Sequence, residues 1–134
     1  MKICHATYFD TMHIPKKVRL DSSKKNLQLE YASGDSYQLS AEFLRVNSPS
    51  AEVRGHGNPV LQHGKLGISI DALATAGNYA LKINFSDGHD SGLYSWDYLH
   101  ELACNQQQIW QEYLFSLEQA NKFRDPEQSV VRLV

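Results

Sequence analysis

The 134-residue chain carries 13 basic and 15 acidic residues, a formal net charge of -2, and these charges are scattered, which leaves no electrostatic footprint for nucleic acid. A chain of this length buries roughly two thirds of its unfolded surface and needs no covalent staple; Cys4 and Cys104 form neither a disulfide framework nor a metal knuckle and read as free thiols. No segment approaches the ~20 apolar residues that cross a bilayer, and Met1-Lys2-Ile3-Cys4-His5-Ala6-Thr7 lacks the apolar stretch of a secretion signal, so a soluble cytoplasmic protein is expected.

Residues 1–15 read as a flexible arm, because His13-Ile14-Pro15 biases the backbone toward extended geometry and the preceding residues show no period. Residues 16–121 read as one domain. Leu27, Leu29 and Tyr31 alternate with Gln28 and Glu30, and Tyr37 and Leu39 resume beyond Ser33-Gly34-Asp35, which predicts a hairpin with one apolar face. A short helix begun at Ser40 should stop before Pro49, and Gly55, Gly57 and Pro59 predict a loop after it.

A second antiparallel unit runs from about Leu66 to Ser95, with turn signals at Gly77-Asn78 and Asp87-Gly88. A two-residue turn at Asp87-Gly88 pairs Ser86 with His89 and Leu81 with Tyr94. That register puts Tyr79, Leu81, Ile83, Phe85 and Tyr94 on the core face and His89, Ser91 and Leu93 on the other. Beyond Ser95, a fitting N-cap, Leu99, Leu102, Ala103, Ile109, Trp110, Tyr113, Leu114 and Leu117 recur at helical spacing and predict one long helix whose stripe covers the sheet. Residues 122–134 read as a tail, with Asp125-Pro126 as a stop. The expected fold is α+β: an antiparallel sheet built from hairpins, one short helix after the first hairpin and one long C-terminal helix packed on the sheet. Ser40-Ala41-Glu42-Phe43-Leu44 and Ser95-Trp96-Asp97-Tyr98-Leu99 also echo one another as strand-to-helix junctions.

Chemistry concentrates in two stretches, Phe43 to Pro59 and Asn84 to Trp96. His56, between two glycines, has little side-chain cover and could reach a metal or a partner, and His100 and Cys104 share a helix face four residues apart. A catalytic set is missing: no Gly-x-Ser-x-Gly elbow is present, Asp87, His89 and Ser91 are too close along one hairpin for a triad, and no histidine is followed two residues later by an acid.

Leu44-Arg45 followed by Ser48-Pro49-Ser50-Ala51-Glu52-Val53, together with Tyr79-Ala80-Leu81 and the run from Phe85 to Trp96, resembles small bacterial proteins similar to the N-terminal domain of gamma-butyrobetaine hydroxylase, over about residues 16 to 103. The resemblance implies a domain that holds structural zinc through a Cys-x-Cys-x-x-Cys run and a later histidine, and a similar domain ends some iron-sulfur scaffold ATPases. By position, the three cysteines fall on Ser48, Ser50 and Val53 and the histidine on His89. Hydroxyls and a valine do not replace thiolates, so the implied site does not carry over intact. The oxygenase domain of those hydroxylases is not expected within these 134 residues.

These features favour a non-catalytic intracellular accessory domain that binds a partner protein. Its expected surface comprises Arg45, Ser48, Ser50, Arg54, Asp87, Asp90 and Ser91, and His89, His56 and Glu52 are the candidate ligands for one zinc or iron ion. The alternative is a small metal-dependent enzyme, or a regulatory subunit, linked to iron or iron-sulfur chemistry. A ligand-binding module with an apolar pocket is a third option, and a homodimer through Phe115 and Phe123 stays open.

Overall fold

The computed structural model describes residues 13–128, the side chain of His56 excepted. Two antiparallel sheets of three strands are built as meanders, and each hands its last strand directly to a helix. The first sheet comprises β1 (Lys17–Leu20), β2 (Asn26–Glu30) and β3 (Ser36–Ser40), and the helix that follows is α1 (Ala41–Val46). The second comprises β4 (Ile70–Ala76), β5 (Ala80–Phe85) and β6 (Leu93–Ser95), followed by α2 (Trp96–Cys104). The echo in sequence therefore marks a repeated topology. Ser40 Oγ accepts from the Phe43 amide at 3.0 Å and Ser95 Oγ from the Tyr98 amide at 3.2 Å, so each strand ends on the residue that caps the next helix.

Period two decides which side chains are inside. Leu27 and Leu29 of β2 and Leu39 of β3 are fully buried, as are Ile83 of β5 and Tyr94 of β6. They meet Phe43, Leu44, Trp96, Leu99 and Leu102 in one apolar cluster, so both sheets and both capped helices share a core. The Trp96 indole donates to the Asn78 carbonyl at 3.0 Å, which reconciles burial with its polar N–H. Val46, Tyr113 and Leu117 form a smaller cluster with Leu61, Trp110 and Leu114.

Four expectations need correction. The long helix is two, α2 and α3 (Gln106–Ala120), because Asn105 leaves helical geometry between them; its backbone and side-chain nitrogens both donate to the Glu101 carbonyl, at 3.0 and 3.1 Å. The stretch after Pro49 is not all loop: Ala51–Arg54 forms one helical turn capped by Ser50, and Gly55–Gly57 continues it as a 3-10 turn. Tyr79 is 53% exposed because β5 begins one residue later, at Ala80. Cys104 is disulfide-bonded rather than a free thiol.

The C-terminal segment is tied to the rest of the chain as far as it is described. α3 ends on Asn121 in the left-handed conformation, and the Phe123 and Arg124 carbonyls then accept from the Gly64 and Leu66 amides. Arg124 binds Glu42 through two nitrogens, at 2.9 and 2.7 Å, and lies 5.1 Å from the Trp110 ring centre. Residues 1–12 and 129–134, most of the predicted arm and the end of the predicted tail, lie outside the described residues.

Candidate functional site

The predicted register of the Asp87-Gly88 hairpin holds where it is regular: Leu81 pairs with Tyr94 and Lys82 with Leu93. It fails beyond, because pairing with β5 reaches no further than Leu93 and residues 89–92 leave the sheet. The Phe85 amide still donates to the His89 carbonyl, and Gly88, at φ 85°, turns the chain back. His89 is consequently not on the open face; it is 7% exposed and turned toward the loop after α1.

There it meets Ser48. The Ser48 Oγ lies 2.8 Å from His89 Nε2, and Glu52 Oε2 lies 3.5 Å from Nδ1. The tautomer with its proton on Nδ1 faces the Glu52 carboxylate and leaves Nε2 to accept the serine hydroxyl. Ser48 Oγ also accepts from the Ser50 amide at 3.3 Å, and Ser50 Oγ accepts from the Val53 amide at 3.4 Å. Burial, and then the nearby Arg45 guanidinium, lowers the His89 pKa below the ordinary histidine value, so the ring is neutral at neutral pH. Gly92 completes the packing, since a Cβ there would collide with Ser48 Oγ and press on Pro49.

A second polar contact locks the same loop from beside it. Buried Arg45 donates to Asp87 at 2.9 Å and to Gln62 at 3.2 Å, while Lys65 reaches the same Asp87 oxygen at 2.8 Å. Burial alone would raise the Asp87 pKa, but the bonds from Lys65, the His89 amide and Arg45 outweigh it and bring the value to about 2.

The structure thus gathers Ser48, Ser50, Val53 and His89, the four positions at which the resemblance implied zinc ligands, all under 9% exposed. Their chemistry does not fit zinc. Two neutral hydroxyls and a valine offer no thiolate, and the one imidazole nitrogen facing them is already hydrogen-bonded to Ser48. Of the other expected ligands, Glu52 stands beside His89 but is 74% exposed at its side chain, and the side chain of His56 lies outside the described set. Among the described residues, no group of three or more His, Cys, Asp or Glu side chains is placed to hold a metal ion.

The expected binding surface divides in two. Arg45, Ser48 and Ser50 are buried supports, Asp87 is half-buried against its cations, and Arg54, Asp90 and Ser91 are exposed beside them. Glu52 and Val60 join the exposed set, and the Val60 amide is fixed to the Val53 carbonyl at 2.8 Å. Sequence reading missed Tyr98 and Tyr113 as supports of this loop: their hydroxyls donate to the Asn47 carbonyl at 2.6 Å and the Gln62 carbonyl at 2.9 Å. Each is 51 residues from its acceptor, and helical spacing alone marks such tyrosines only as packing residues.

A small α+β domain with a buried Ser-His knot beneath an exposed loop is the class that fold and site define. The chain belongs to the family of gamma-butyrobetaine hydroxylase-like N-terminal domains, whose model matches residues 18–100. It is similar to two proteins known from NMR solution structures. One is 56% identical with a TM-score of 0.80, covering 91% of this chain and 98% of that one. The other is 41% identical with a TM-score of 0.75, covering 98% and 100%. It is also similar to a DUF971-family protein of unknown function from Acidithiobacillus ferrooxidans, known from a crystal structure, at 28% identity and a TM-score of 0.58 over 70% of this chain and 97% of that one. No curated protein matches the chain. No helix among the described residues is long and apolar enough to cross a membrane.

Proposed function

We propose that this chain is a non-catalytic accessory domain that recognises a partner protein with the face made by the Ser48 to Gln62 loop and the His89 turn. The observation that carries the reading is the division of labour at this face. Buried hydrogen bonds from Ser48, Arg45, Tyr98 and Tyr113 fix the loop, while Glu52, Arg54, Val60, Asp90 and Ser91 stand outward from it. A loop ordered before binding loses little further entropy when a partner docks, which is how a small surface gains affinity.

The Ser48-His89-Glu52 succession has the order of a catalytic relay, yet Ser48 is 2% exposed and its hydroxyl is held by His89 and the Ser50 amide beneath Gly92 and Pro49. The reading of a metal-dependent enzyme draws on one contact, the 3.5 Å approach of Glu52 to His89 Nδ1. A ligand set made from that pair and His56 would need stoichiometric metal, which elemental analysis detects.

Photocrosslinking in living cells tests the docking face. With the crosslinker at Asp90 or Val60, the proposal expects one common adduct that is lost in the Arg54→Glu/Glu52→Lys variant and does not form when the crosslinker replaces Arg19 on β1. The same adducts from all three positions, or none from the loop, would remove the face from consideration.

A further inference from the structure

Between the loop and the two C-terminal helices lies a cavity of about 340 Å³, within the ~300–1,000 Å³ of small-molecule sites. Val46, Val53, Val60 and Leu61 supply apolar wall, and Tyr98 from α2 and Tyr113 from α3 supply aromatic wall. The hydroxyls of both tyrosines are already committed to the Asn47 and Gln62 carbonyls, so they hold the cavity's shape. Burial, the largest influence on either group, raises both phenol pKa values, that of Tyr113 to about 12, and both therefore remain neutral.

One charge remains. Arg54 lines the cavity, and its guanidinium lies 5.2 Å from the Tyr98 ring centre. No acidic residue lines the cavity, and no carboxylate among the described residues pairs with Arg54. The guanidinium also hydrogen-bonds the Tyr98 side chain, and with five N–H donors it retains enough to give a carboxylate two parallel hydrogen bonds. A phosphate dianion would call for further cations, and the cavity offers a single arginine beside the neutral polar residues Asn47, Ser48, Gln62 and Ser116 and its apolar wall.

We propose that this cavity binds a small organic carboxylate with an apolar body, its acid group on Arg54 and its body against Val60, Leu61 and the Tyr98 ring. The proposal goes beyond partner docking, which the exposed loop could perform with the cavity empty.

The test is a titration of the ¹⁵N-labelled full chain with 3-phenylpropanoate and with hexanoate, each beside its primary amide, followed by amide chemical shifts. The expected result is saturable shifts centred on residues 46–62 and on the amides of Tyr98 and Tyr113. The acids should bind at least about tenfold more tightly than the amides. The Arg54→Gln variant, folded by its dispersed spectrum, should lose that preference, while Arg19→Gln keeps it. No shifts near the cavity, equal binding of acid and amide, or a preference that survives Arg54→Gln would overturn the assignment. Crosslinking at Asp90 reads the partner independently, so either idea can fail without the other.

Discussion

Ser48 and His89 stand 41 positions apart and share a hydrogen bond of 2.8 Å at a site where each is under 9% exposed. A buried acceptor stripped of its donor keeps its desolvation cost, so Ser48→Ala should lower unfolding free energy by ~1–3 kcal/mol, read by chemical denaturation. Ser50→Ala should cost less, since its hydroxyl caps only one helical turn. The pH dependence has a definite sign. A histidine whose folded pKa lies below its unfolded value contributes stability above the unfolded pKa, near 6.5, and loses it as pH falls toward the folded value. Denaturation midpoints should therefore drop on acidification below about pH 6.5. His89→Gln should flatten that slope, and a midpoint that does not change in this window would mean the ring is not held neutral. His100, lowered by burial and then by His13, titrates in the same sense and supplies the residual slope. Asp87 acts lower: its stabilisation is full above about 3.8 and disappears as pH approaches its folded value of about 2.

At the scale of elements, the meanders and their capped helices were legible because period two and a serine before an acid are local signals. The buried leucines of β2 and β3 and the Leu81-Tyr94 pairing follow from alternation alone. The break at Asn105 was not legible: the apolar stripe continues through it, and the competing bond from its own amide side chain interrupts the helix without disturbing the pattern. His89 was misplaced because register arithmetic assumed pairing back to the turn, whereas residues 89–92 leave the ladder to close on Ser48. Both serine caps should be worth ~1 kcal/mol, so Ser40→Ala and Ser95→Ala should destabilise by similar amounts and, being in separate meanders, nearly additively. A large departure from additivity in the double variant would show that the two repeats are coupled at their caps.

Across the whole molecule, long-range polar contacts complete what the apolar core begins. Glu42, 6% exposed on α1, is answered by Arg124 beyond α3, a partnership 82 residues long that nothing in the tail's composition announces. Arg124→Ala should destabilise by less than the ~3–5 kcal/mol of a fully buried pair, because its own side chain is 40% exposed. Glu42→Gln/Arg124→Ala should recover part of that loss by removing the stranded charge. The Ser-His knot acts at the same scale, joining the loop after the first meander to the turn of the second. The four positions that the resemblance implied lie together, and on the present account hydrogen bonding there takes the place of metal ligation.

That replacement is most directly tested by measuring zinc and iron in untagged protein purified without chelator, with thermal midpoints taken before and after chelator treatment. The account predicts no stoichiometric metal and an unchanged midpoint. Near-stoichiometric zinc or iron that is lost in His89→Ala, with a midpoint that falls when the metal is stripped, would contradict it.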